Sequence, residues 1–341
     1  MEGVFIEYRS TCCSSDGSKK YVFDVPAKGV HQAIRKRKVG IESAFFNIPN
    51  REDNKPEYVL CLSSQAGCVY NCRICANMFD SFYGCLSPDE INEQIGMTLS
   101  QDGNLEKILS KDAVEYALMA MGEPLYGNNV IKAIQKHKPY VADTKFSLST
   151  VGAPGTIDRL TNSDLPYPVR LELSLHFPTD RTRREWLVYD EMFFKKDPEL
   201  TISTMLDEAE RYARKHHGKI TLNYVLIDGI NNMEHNTDEI LKILEGRSDI
   251  FYVKVMKPNL TSSFVFSWGE IGCLKQSKHY PPKEFKERLQ EKGIKATLFE
   301  SKGTDIAAGC GMMTTRFRGK RGIVRAEEFF IPQANPSRLG F

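Results

Sequence analysis

Three cysteines, Cys68, Cys72 and Cys75, fall within eight residues at the spacing C-x-x-x-C-x-x-C. Thiolates are soft ligands, and three of them so placed can hold three corners of a [4Fe–4S] cluster. The fourth iron is then left open, which implies a small molecule that coordinates there, since an electron-transfer site would supply four cysteines. A structural zinc site also takes four ligands, and no C-x-x-C partner pair or H-x-x-x-H follows downstream. Cys61 lies seven residues before Cys68, and Cys310 sits between Gly309 and Gly311, which permit close backbone approach. Cys12, Cys13, Cys85 and Cys273 read as packing or surface thiols.

Residues so far apart need a scaffold to bring them together. Strands are expected at residues 58–64, 113–121, 145–151, 169–176, 219–227 and 251–256, and amphipathic helices at 89–100, 128–138, 202–216 and 237–245. Six strand-then-helix units imply parallel strands joined by right-handed crossovers. Ser87-Pro88-Asp89-Glu90 gives a legible helix start: a capping hydroxyl, proline at the first helical position and glutamate at the third. A last strand at 295–300 follows a helix at 282–292 and leads into the loop that carries Cys310. Before residue 50, turn signals at Ser14-Ser15-Asp16-Gly17 and a strand-like 20–25 suggest a small β element. The expected division is a small N-terminal β extension (1–55), a barrel (56–312) and a C-terminal tail (313–341).

The C-x-x-x-C-x-x-C loop after a first strand resembles the radical S-adenosylmethionine (SAM) superfamily, and more narrowly the RlmN/Cfr family of radical SAM methyltransferases. Further segments carry the resemblance in order: Cys61-Leu62-Ser63-Ser64-Gln65-Ala66-Gly67-Cys68, Met119-Ala120-Met121-Gly122-Glu123-Pro124-Leu125, Leu148-Ser149-Thr150-Val151-Gly152, Leu173-Ser174-Leu175-His176, and Lys302-Gly303-Thr304-Asp305-Ile306-Ala307-Ala308-Gly309-Cys310-Gly311. The resemblance runs from about Glu42 to Met312. It implies an α/β fold, a partial (β/α)6 TIM-like barrel of the radical SAM type. Family members carry a larger helical N-terminal region, whereas sixty residues precede Cys61 here, so the resemblance implies a chain without most of that region.

The same resemblance implies roles. A [4Fe–4S] cluster on Cys68, Cys72 and Cys75 would bind SAM at its open iron. Gly122, Glu123, Pro124, Ser149, Ser174, His176 and Asn259, at the ends of successive strands, would hold the rest of SAM, with Glu123 on its amine. Cys310 would carry a methyl group, for which its thiol pKa must fall from the free value of about 8.5 or find a local base. Cys61 would be the resolving thiol that releases product by forming a disulfide, and Glu42 would assist proton removal at the acceptor carbon. The expected reaction is methylation of an sp2 carbon of adenine in RNA, with a flavodoxin- or ferredoxin-type electron donor.

Composition agrees with a soluble enzyme and leaves the substrate open. The 46 basic and 44 acidic residues leave a formal charge of +2, too little for a whole-surface polyanion binder. Basic runs at residues 35–38 and at Arg316, Arg318, Lys320, Arg321 and Arg325 offer phosphate contacts without sequence readout. No apolar run approaches the ~18–20 residues that span a bilayer, no signal-like N-terminus is present, and a cytoplasmic location is expected. Two rival readings remain at this point: a radical SAM enzyme acting on a small molecule or peptide, and a non-catalytic iron–sulfur or zinc protein that holds nucleic acid.

Overall fold

The computed structural model describes residues 6–28, 38–49, 56–70, 72–103, 105, 107, 114–140, 144–187, 201–259, 280–313, 316–319 and 322–325. Three strands come first: β1 (Glu7–Cys13), β2 (Lys19–Pro26) and β3 (Lys38–Pro49), followed by β4 (Pro56–Cys61). A two-strand ribbon, β5 (Gln65–Ala66) and β6 (Gly84–Cys85), flanks the cysteine loop and leads into α1 (Pro88–Gln101). Strands and helices then alternate: β7 (Val114–Leu118), α2 (Asn129–Lys136), β8 (Thr144–Thr150), α3 (Thr156–Thr161), β9 (Val169–Ser174), α4 (Asp180–Trp186), α5 (Ile202–His216), β10 (Ile220–Val225), α6 (Glu234–Ile243), β11 (Phe251–Met256), α7 (Pro282–Glu291) and β12 (Ala296–Phe299). A hairpin of β13 (Arg316–Gly319) and β14 (Gly322–Arg325) follows.

One ten-stranded sheet runs in the order β1-β2-β3-β4-β7-β8-β9-β10-β11-β12. From β4 to β12 every pairing is parallel, whereas β1 to β4 form an antiparallel meander. The sheet is therefore mixed. The expected N-terminal β element is larger than the 20–25 strand alone, and β3 pairs along β4, with Ala44 opposite Cys61. Among the described residues no strand pairing joins the two edges, β1 and β12.

The strands alternate strictly, and this positions the site. One face carries Leu60, Tyr116, Leu118, Phe146, Leu148, Leu171, Leu173, Leu222, Tyr224, Val253 and Val255, all buried in the core beneath the helices. Helix α5 reaches that core through Ile202, Met205, Leu206, Ala209 and Tyr212, spaced at helical period. The opposite face carries Val59, Cys61, Glu115, Ala117, Ser147, Ser149, Glu172, Ser174, Asn223 and Lys254, a polar set unusual for parallel strands, which are ordinarily apolar on both sides. Helix α1 starts as read: the Ser87 hydroxyl accepts from Glu90 N–H at 3.2 Å, while the Glu90 carboxylate accepts from Ser87 N–H at 2.6 Å.

The loop after β12 crosses to the other end of the sheet. Gly303 N–H donates to Asp16 Oδ2 at 2.9 Å, the Ser14 hydroxyl to Asp305 Oδ1 at 2.5 Å, and Lys302 Nζ to the Asn47 carbonyl at 2.6 Å. Cys310 is thereby brought to the side where Cys61 lies.

Candidate active site

The cysteine loop is held from several directions. Ser64 N–H and Gln65 N–H both donate to the Met121 carbonyl (2.8 and 3.2 Å), Arg73 N–H donates to the Trp186 carbonyl (2.9 Å), and Ala76 N–H donates to the Gly311 carbonyl (2.7 Å). An apolar cluster of Tyr70, Val151, Phe177, Leu187 and Ile227 packs against Cys68, Cys72 and Ile74.

Burial pushes the pKa of all three thiols up, and at Cys68 and Cys72 neighbouring thiols push further in the same direction. Against this, donors point at sulfur: Tyr70 N–H at Cys68 Sγ (3.4 Å) and Asn77 Nδ2 at Cys75 Sγ (3.7 Å). Half-buried thiols that oppose one another's ionisation yet receive N–H donors suit a cationic centre that takes all three as thiolates, and the residue types fit an iron–sulfur cluster. Among the described residues, the cysteines of this loop included, no three His, Cys, Asp or Glu side chains converge on one metal-ion position.

Glu123 closes the turn after β7 and is buried. Its Oε1 accepts from the Thr150 hydroxyl (2.6 Å) and Leu125 N–H (3.0 Å), and its Oε2 from Val151 N–H (3.0 Å). Burial raises its pKa, while those donors and Arg183 favour the carboxylate. The result is a rigid acceptor beside the cysteine loop, suited to an ammonium group. Gly122 takes φ +104°, and a Cβ there would meet Gln65 Cβ at 2.5 Å, so only glycine fits the turn.

Ser149 and Ser174 face each other at 3.5 Å, and Asn223 Nδ2 donates both to Ser149 Oγ (3.2 Å) and to Glu172 Oε2 (3.0 Å). Lys254 Nζ donates to both Glu172 oxygens (2.8 and 2.7 Å). Burial works to raise the Glu172 carboxyl, but Lys254 and then Arg170 outweigh it and hold its pKa down. His176 adopts φ +51°, rare for a side chain with a Cβ, and its Nδ1 accepts from Val225 N–H at 3.3 Å. Burial, then Arg183, lowers its pKa to about 3, so the ring is neutral. Asn259 holds the Cys310 loop: its Nδ2 donates to the Ser301 hydroxyl (2.8 Å) and to the Cys310 carbonyl (2.9 Å).

Cys61 is buried on the polar face among Ala44, Ala117, Met121, Ala308 and Met313, three of which flank the Cys310 loop or the Glu123 turn. Burial, then Cys310, raises its thiol. Cys310 is exposed to solvent, with protein mass packed around it. That surrounding mass raises its pKa, and Lys254 and a hydrogen bond from Ser301 pull it back. Glu42 lies on β3 two residues before Ala44, hence on the same face as Cys61, and its buried carboxylate meets Lys20 Nζ at 3.2 Å.

Of the expected residues, Glu42, Cys61, Ser149 and Ser174 share one face of the sheet, and backbone hydrogen bonds tie the cysteine loop to the turn before Glu123 and to the loop of Cys310. Sequence reading did not single out Thr150, Arg183, Asn223, Glu172, Lys254, Ser301 or Lys20. The strand alternation carried a signal for Glu172, Asn223 and Lys254, which share parity with the serines. Arg183 had none, because its partners are the Val151 and Ser174 carbonyls of other strands, at 2.5 and 3.2 Å. The basic run at 35–37, Cys273, and residues 188–200 of a charged loop lie outside the described residues, as do the side chains of β13 and β14.

A probable dual-specificity RNA methyltransferase RlmN of Thermotoga maritima is 32% identical over 278 residues, covering 80% of this chain and 71% of that protein. The chain belongs to the RlmN family. It is a radical SAM methyltransferase, and membership implies SAM and a [4Fe–4S] cluster as cofactors. A Campylobacter jejuni RlmN is 28% identical over 312 residues, 89% of this chain and 79% of its own. The crystal structure of a radical SAM methyltransferase from Sphaerobacter thermophilus shares the fold, with a TM-score of 0.70 at 23% identity over 90% of this chain and 80% of that one. No protein-family model matches the chain.

Proposed function

We propose that this enzyme methylates an sp2 carbon of adenine in RNA through a methyl group carried on Cys310. The observation that supports the reading is that Cys61, packed on Ala308 and Met313 of the Cys310 loop, lies within electrostatic reach of Cys310, whose loop is hydrogen-bonded to the Cys68-Cys72-Cys75 loop through the Gly311 carbonyl and Ala76 N–H. An enzyme that only abstracts hydrogen needs neither. RNA is the substrate class in the names of the relatives. The sheet is read as a partial (β/α)6 barrel whose interior is the polar face, its ends bridged by the loop that carries Cys310. Residues 1–55 are read as its β extension and residues 313–341 as a tail. No described helix is long and apolar enough to cross a membrane, and the enzyme is assigned to the cytoplasm with a flavodoxin- or ferredoxin-type electron donor.

Cys68, Cys72 and Cys75 would hold the cluster, and Glu123, Ser149, Ser174 and Asn259 would hold SAM. When bound, these groups supply an electrophilic methyl and, on reduction, the means to remove a hydrogen atom from an unactivated C–H. Such means are required because carbon 2 of adenine is electron-poor and closed to ordinary methyl transfer.

Cys310 takes the methyl as thiolate, helped by the positive charge of Lys254 and the Ser301 hydroxyl. After loss of one hydrogen atom the methyl carbon bonds to the acceptor carbon, the odd electron going to the redox centre that the three cysteines would hold, and the sulfur then links protein to base through one carbon. Glu42 removes the proton from the acceptor carbon, and Lys20 orients that carboxylate. The Cys61 thiolate attacks Cys310 Sγ: the S–S bond forms, the S–C bond breaks, and the carbon leaves with the electron pair to become the new methyl after protonation. The resulting disulfide takes two electrons from the donor to reset.

The test is anaerobic reconstitution with labelled SAM, then digestion. A methyl group on the peptide containing Cys310, transferred to RNA on reduction, is expected. An unmodified Cys310 overturns the relay, and transfer to metabolites rather than RNA overturns the substrate.

A further inference from the structure

Gln65 is not a residue to which the motifs assign a task. It is 1% exposed, sits on the short strand β5, and its side-chain oxygen receives two backbone donors from different loops. Val69 N–H, one residue past the first cluster cysteine, donates to Gln65 Oε1 at 3.1 Å. Glu123 N–H donates to the same oxygen, also at 3.1 Å. The amide nitrogen faces the other way, with Nε2 donating to Cys85 Sγ at 3.4 Å across the β5–β6 ribbon, where Gln65 and Cys85 are direct partners. Two N–H donors on one side and a sulfur acceptor on the other fix which end of the amide points where. The Gln65 stem also packs on Gly122, where any Cβ would collide with it.

We propose that Gln65 is a positioning residue that sets the spacing between the cluster loop and Glu123, so that one molecule of SAM can engage the open iron and the carboxylate together. Cys85 orients the Gln65 amide for this task. The proposal rests on the reading of Glu123 as the SAM amine acceptor. Its physical basis is the cost of the alternative: without that oxygen a buried N–H and a part-buried one lose their acceptor, and the loops are free to part. A cofactor gripped at both ends is sensitive to such a shift, because geometry off by about 1 Å at either end forfeits one of the two contacts.

The experiment compares reconstituted wild-type enzyme with Gln65→Met, which keeps the volume and removes the acceptor, and with Gln65→Glu, which restores it. Iron content, SAM affinity by equilibrium dialysis and the electron paramagnetic resonance spectrum of the reduced cluster with and without SAM are read. Gln65→Met is expected to take up iron as the wild type does, to bind SAM about tenfold more weakly, and to lose most of the SAM-induced change in the cluster spectrum. Gln65→Glu is expected to recover affinity to within about threefold. Affinity within about twofold of wild type for Gln65→Met overturns the proposal.

If Gln65→Met takes up no iron, Cys85→Ala decides: SAM affinity weakened with iron retained supports the proposal, and unchanged affinity overturns it. Glu123→Gln separates the two readings. If it binds SAM as the wild type does, the assignment of Glu123 falls. If it weakens binding while Gln65→Met does not, Gln65 alone falls.

Discussion

At the residue scale, thiols decide the chemistry, and each has its own electrostatic setting. The Cys310 thiol is raised by the protein around it, with Lys254 the largest opposing influence. Its reaction with iodoacetamide should therefore accelerate with pH into the alkaline range, and Lys254→Met should move the midpoint of that profile to higher pH. A midpoint unmoved by the substitution would remove Lys254 from the nucleophile's environment. Cys61 is expected to act only at release. Cys61→Ala should still carry a methyl on Cys310 but should accumulate enzyme joined covalently to RNA, visible as a ribonuclease-sensitive band. Free methylated RNA formed at the wild-type rate would refute the resolving role.

At the scale of elements, turns matter as much as strands. Gly122 is the tightest case, and Gly122→Ala should cost about 1–3 kcal/mol of stability together with most SAM binding, checked by denaturant titration and dialysis. Much of this scaffold was legible beforehand. The β4, β7, β8, β9, β10, β11 and β12 strands announce themselves by alternation, and the capping box of α1 by four consecutive residues. What escaped has a common cause. β3 is covered on both faces, so Phe45, Ala44 and Glu42 are all buried and no period of two stands out, while β1 buries none of its residues and so presents no apolar face. Gln65 and Arg183 act on backbone groups brought in by other loops, which leaves no trace in side-chain spacing. The cysteines, Glu123 and the serines were readable because their chemistry is written in residue type and order.

For the whole molecule, buried histidines make stability depend on pH. His176 is lowered to about 3 by burial and then Arg183, against about 6.5 in an unfolded chain. Its contribution is fully present above about pH 6.5 and is lost as pH falls toward 3, at up to about 1.4 kcal/mol per pH unit. His137, lowered to about 4 by burial, acts in the same direction. Urea midpoints measured from pH 7 to 4 should fall accordingly, and His176→Asn, whose side chain tolerates a positive φ, should flatten the slope.

The hydrogen bonds that seat the Cys310 loop on the first hairpin join residues 287 and 291 positions apart in the chain. Contacts of such long sequence separation close late, after local pairings have repaid their entropy. A refolding chain should regain its far-ultraviolet circular dichroism before Cys61 and Cys310 can be bridged by a mild oxidant. Enzyme caught between those moments would have a complete scaffold and no means of handing on a methyl group.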